Sequence, residues 1–226
     1  MFKEIRKEWM FSTRSGRLFI VIMSFLFLAL LTPVMLKVVM PEILQAQFPN
    51  LSKEDVSMMV NASQLTSVQG FMSDLFELGG VIVSFAFCGI VAQEIRDNTL
   101  VFPILSGNRL SEIVSSKLLF HGGLISIMVI GSLMLNFLYS GMLFVNELLI
   151  TDILLAGMLQ GLFYFFLIAN LIFWGALIKR TLPTGFMTLL TIYLTQAIGS
   201  LFDLHAYMPS GLIHFSSTFQ MSNSGV

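Results

Sequence analysis

From Ile153 to Ile178 the chain carries no charged residue. A helix of about 20 apolar residues matches a hydrocarbon core of about 30 Å, so this run reads as a membrane span. Four further runs read the same way: Leu18–Met40, Leu75–Gln93, Leu118–Tyr139 and Leu182–Phe202. The first contains Thr32-Pro33 and Lys37. Pro33 is tolerable inside a span if the carbonyl that it frees finds another donor. Lys37 can snorkel toward the surface. Only 11% of the 226 residues are charged, against about 25% in soluble globular chains. The expectation is an all-α, polytopic transmembrane helix bundle with five visible spans, not a soluble domain.

Charge placement orients the spans. Lys3, Arg6, Lys7, Arg14 and Arg17 precede the first. Arg96, Arg109 and Lys117 lie between the second and third, and Lys179 and Arg180 between the fourth and fifth. Only Lys37 and Lys53 fall on the other side, which collects Glu42, Glu54, Asp55, Asp74, Glu77, Glu147, Asp152 and Asp203. The positive-inside bias therefore puts the N-terminus in the cytoplasm of a cell, bacterial in our reading, whose membrane holds the chain. Residues 1–17 are not a cleavable signal, because no small-residue cleavage site follows the apolar run. Phe2, Ile5, Trp9 and Met10 share an apolar face, with Lys3, Glu4, Arg6, Lys7 and Glu8 around the rest, as in an interfacial helix. The segment 41–74 reads as an external loop with short helices, one starting at Ser52 with Asp55 in the N3 position.

The one long polar interruption is Glu94 to Leu119. It turns at Ser106-Gly107-Asn108 and continues into a short amphipathic helix. Leu110, Ile113, Val114, Lys117 and Leu118 share one face of that helix. The apolar residues Leu100, Phe102, Ile104 and Leu105 suit a partner or the bilayer surface better than free solvent.

The N-terminal helix, the second span running into Glu94, and the connector with Thr99-Leu100 and a turn before Arg109 together resemble the membrane subunits of type-two ABC exporters. The matching positions are Glu94, Arg96, Asn98-Thr99-Leu100, Ser106-Gly107-Asn108-Arg109 and Lys117-Leu118-Leu119. The resemblance implies a single transmembrane permease domain over 1–226, with 94–117 as a cytoplasmic coupling connector. Its coupling residues would be Glu94, Arg96, Thr99, Leu100, Ile104, Leu105, Arg109 and Lys117. The expected partners are cytoplasmic ABC ATPase subunits, a second permease subunit in a homo- or heterodimer, and membrane lipids, with no nucleic acid. No cofactor is expected on this chain, and ATP and Mg would sit on the ATPase. Two departures stand out. Gly107 occupies a position where the family usually has proline, although Pro103 is near. The family also has six spans, where five are visible here. His205–Val226 looks like the external re-entrant segment before a sixth span, and we expect the natural reading frame to continue into one.

Residue chemistry agrees with a transport subunit that is not itself an enzyme. The chain has no GxxxxGK[ST] nucleotide loop. His121, His205 and His214 lack metal-ligand spacing, and the lone Cys88 forms no intrachain disulfide. His121 reads as a hydrogen-bonded structural residue. Mid-membrane carboxylates of the kind that ion-coupled transporters use are missing from the runs. Asn136, Gln160, Asn170 and Gln196 are the polar residues that could line a substrate path, although interhelical hydrogen bonding is the commoner role. Gly157-x-x-x-Gly161 and Gly80-x-x-x-Ser84 permit close helix approach. The cargo of such an exporter would be amphipathic or lipidic: a peptide, drug, antibiotic or glycolipid. The alternative is a non-transporting membrane assembly or immunity factor that grips a cytoplasmic partner through the same connector.

Overall fold

A computed structural model of the chain describes residues 2–48, 62–107, 109–146, 148–204 and 207–218, with the backbone alone at 2–4 and 218. The expected helix start at Ser52–Asp55, together with Lys53, Glu54, Asn108, Glu147, His205 and Gln220–Val226, lies outside the described residues. Among the described residues eight helices follow one another: α1 (Phe2–Arg14), α2 (Arg17–Gln47), α3 (Gln64–Arg96), α4 (Val101–Leu105), α5 (Leu110–Leu143), α6 (Ile150–Ile178), α7 (Thr181–Leu201) and α8 (Gly211–Thr218). Among the described residues there is no strand. Four helices, α2, α3, α5 and α6, are long and apolar enough to cross a membrane, which suggests a multi-pass membrane protein.

The fifth expected span is a helix, but it falls short of the apolarity of those four. Five threonines and Gln196 dilute α7. It tolerates them by back-bonding: Thr184, Thr188 and Thr191 donate to the carbonyls of Arg180, Thr184 and Met187, so the hydroxyls are satisfied within the helix. Two other expectations shift. Much of the loop expected over 41–74 is helical, because α2 runs on to Gln47 and α3 begins at Gln64. Ser63 caps α3 by accepting from the Thr66 amide at 3.1 Å. The short amphipathic helix expected after the connector is the first three turns of the 34-residue α5.

α5 is the central helix and packs against α1, α2, α3 and α6. Its contact with α6 is close because Gly157 and Gly161 present no side chain. A Cβ on Gly161 would stand 3.1 Å from the Ser126 Cβ, and the Ser126 hydroxyl donates to the Gly161 carbonyl at 2.7 Å. This small-residue seam is thus used inside the chain.

Pro33 lies within α2 and has no N–H for the carbonyl of Ala29, four residues earlier. The Asn136 amide of α5 donates to that carbonyl at 2.9 Å. A π-helical turn, Met35–Val39, follows the proline. It carries Lys37, whose ammonium donates to the Leu143 carbonyl at 2.6 Å and closes the end of α5, where positive charge is favoured. A second π turn, Leu75–Gly79, interrupts α3. The Tyr164 hydroxyl donates to the Leu75 carbonyl at 2.6 Å and the Tyr193 hydroxyl to the Glu77 carbonyl at 3.1 Å.

Candidate functional site

The connector is built from short-range contacts. α3 ends at Arg96, and the chain reverses through Asn98, whose φ of 54° is left-handed, a conformation that asparagine adopts more readily than most residues. Thr99 closes the reversal, with its amide and hydroxyl both donating to the Glu94 carbonyl, at 3.0 and 3.3 Å. Pro103 sits in the first turn of α4, where no intrahelical N–H is required. Its ring is buried beneath the turn. Gly107 takes a φ of 86°, which a side chain would oppose.

This geometry turns the apolar side chains of α4 outward. Leu105 is 80% exposed and Phe102 72%. Val101 and Ile104 are about half exposed, and Leu100 is partly buried. Arg96, Thr99 and Arg109 are also exposed. Arg96 pairs with its neighbour Asp97 at 3.1 Å.

Two expected connector residues face the other way. Lys117 is buried, and its ammonium lies 2.5 Å from the Glu8 carboxylate and 3.0 Å from that of Glu94. Glu94 therefore pairs with Lys117, and at 3.9 Å with Lys7, rather than with Arg96. Glu8, expected on the solvated side of α1, is 4% exposed. Trp9 and Met10 are instead about half exposed. His121 joins the cluster. Its Nδ1 lies 3.1 Å from the Lys117 carbonyl, which can only accept, so Nδ1 carries the proton. Nε2 then accepts from the Ser12 hydroxyl at 3.3 Å. Arg17 donates to Gln93 at 3.0 Å, fixing the start of α2 to the end of α3. One Glu94 oxygen is buried without a hydrogen-bond partner among the described residues. The cluster thus joins α1, the end of α3 and α5. Removing one partner of such a buried pair by substitution leaves an uncompensated charge, which is strongly destabilising.

Glu8 and Ser12 were not singled out from the sequence. They lie four residues apart on α1, as Lys117 and His121 do on α5. Two facing i, i+4 polar pairs were the available signal.

Three of the four candidate path residues have structural partners. Asn136 is fully buried against Ala29. Gln160 is fully buried and donates to the Ser216 hydroxyl at 3.1 Å, tying α8 to α6. Asn170 donates to the Phe166 carbonyl of its own helix. Gln196 differs. It lines a cavity of about 310 Å³ between α3, α7 and α8. No group of three or more metal-ligating side chains occurs among the described residues. In comparisons with known proteins, no family model, no curated protein and no solved structure matches the chain.

Proposed function

We propose that the chain is the permease subunit of an ATP-driven ABC exporter that moves an amphipathic or lipidic substrate out of the cell. The observation that carries this reading is α4, which exposes Phe102, Ile104 and Leu105. Apolar side chains so displayed need a covering surface. An ATPase groove would supply it, and ATP with Mg would be bound and hydrolysed there. The cluster of Glu8, Lys117 and Glu94 supports the reading mechanically. A movement at the end of α3, which leads into α4, would act on α1 and on α5 together through the pairing of Glu94 and Glu8 with Lys117. α5 contacts α2, α3 and α6, so the displacement reaches the four candidate spans. A second permease subunit completes the assembly. Its cytoplasmic N-terminus and interfacial α1 follow from the basic residues at that end.

Purification of the full chain from its native membrane tests this. A P-loop ATPase should accompany it, and the complex should hydrolyse ATP. Burying one such side chain contributes about 1.5–3 kcal/mol. Ile104→Asp together with Leu105→Asp should therefore weaken the association at least tenfold while membrane insertion stays intact. Unchanged association and hydrolysis would remove α4 as the docking element. A stable partner without a nucleotide site would favour the assembly or immunity factor.

A further inference from the structure

The cavity beside Gln196 lies at the end of the bundle opposite the connector. Glu77 lies 17 residues before Glu94 along α3 (94 − 77), near the far margin of a hydrocarbon core that about 20 helical residues cross. Counting about as far forward from Arg180 along α7 reaches the same level, near Gln196. The wall includes Ser73, Glu77, Gln196 and Ser217 beside apolar Phe76 and Ile213, with His214 also on it.

Acceptors stand on this wall beside the Gln196 amide N–H groups and the His214 ring. The Ser73 hydroxyl donates to the Gln69 carbonyl and the Ser217 hydroxyl to the His214 carbonyl, which leaves their lone pairs for a guest. Gln196 Oε1 is buried with no donor among the described residues. The Glu77 carboxylate has no hydrogen bond or salt bridge among the described residues, and the only bond to this residue from another helix reaches its main-chain carbonyl, from Tyr193. Asp74, one turn away, by contrast accepts from Thr32 at 2.9 Å. Glu77 is exposed at this margin and lines the cavity without a counter-charge among the described residues. Glu77 also sits in the π turn Leu75–Gly79, and such turns recur at functional sites.

We propose that this cavity binds an alkylammonium group. Glu77 supplies the counter-charge, Gln196 Oε1 and the two serine oxygens accept its N–H bonds, and Phe76 and Ile213 cover its first methylenes. A volume of about 310 Å³ suits a headgroup and a short length of chain. The site rests on the cavity alone and does not require the exporter reading. Two sources carry this chemistry, a free amphipathic amine and an ethanolamine lipid headgroup.

The test uses the full chain in dodecyl maltoside, whose headgroups are uncharged, with labelled decylammonium as probe. Saturable binding is expected, with decanol and decyl sulfate failing to compete. Glu77→Gln should weaken it at least tenfold, the loss expected for a charged hydrogen bond. Ser73→Lys places a tethered ammonium one turn from Glu77 and should abolish it. Asp152→Asn, an acid outside the cavity, should leave it unchanged. Competition by phosphatidylethanolamine but not phosphatidylglycerol would identify the lipid source, and failure of both lipids to compete would identify a free amine. Absent saturable binding, equal competition by decanol, or unchanged binding in both Glu77→Gln and Ser73→Lys would overturn the proposal. A size-exclusion profile matching wild type keeps a negative result from a misfolded variant apart.

Discussion

Asn136 shows how one side chain can answer a defect on another helix. Pro33 frees the Ala29 carbonyl, and the Asn136 amide takes the missing donor's place at 2.9 Å. Asn136→Leu should leave that carbonyl buried and unsatisfied, at a cost of about 1–3 kcal/mol. Pro33→Ala supplies a backbone N–H again, so in its presence the cost of Asn136→Leu should shrink. Thermal unfolding of the two single variants and the double variant in one detergent checks this. Purely additive losses would break the link between the two residues. The need for a donor was legible in the sequence from Pro33, but its identity was not. The two residues are 103 positions apart by number (136 − 33), and only the packing of α5 on α2 brings them together. Glu8 is the converse case. A helix wheel of α1 places it among charged neighbours, and the ion pair that draws it inward belongs to α5.

At the scale of elements, hydropathy located the four long apolar helices but not their ends. α2, α3 and α5 all extend beyond their apolar stretches, because polar turns propagate a helix once its apolar part is packed. The π turns had no sequence signal beyond the nearby Pro33 in α2. The close seam between α5 and α6 was legible as Gly157-x-x-x-Gly161, though not which helix fills it. Gly161→Val should drive a side chain against Ser126, whose Cβ lies 3.1 Å from where the new Cβ would be. Overpacking of this kind costs about 1–3 kcal/mol. A lowered melting temperature with the detergent-solubilised chain otherwise intact is the expected result. An unchanged melting temperature would mean that the two helices move apart freely.

For the whole molecule, orientation is the property that sequence charge addresses most directly and that helix packing alone leaves open. The basic residues predict that α4 faces the cytoplasm and the end of α2 faces outside. Single cysteines at Leu105 and Phe48, both exposed, in a Cys88→Ala background report this on intact cells. An impermeant thiol reagent should label position 48 and spare position 105, and the reverse pattern would invert the topology. The candidate docking site was legible as a segment, because its apolar residues and turn formers are contiguous. The charge cluster under it was not, because its members come from three separate stretches of chain. That separation also sets a timetable. Lys117 is 109 positions beyond Glu8. Ribosomes add about 5–20 residues per second, so α1 waits roughly 5–20 s for its counter-charge to be made. Until Lys117 has been made, Glu8 lacks the ammonium that it pairs with in the finished fold. The ion pair that ties α1 to α5 therefore closes late, and a chain arrested before Lys117 lacks it, which distinguishes that chain from a finished molecule.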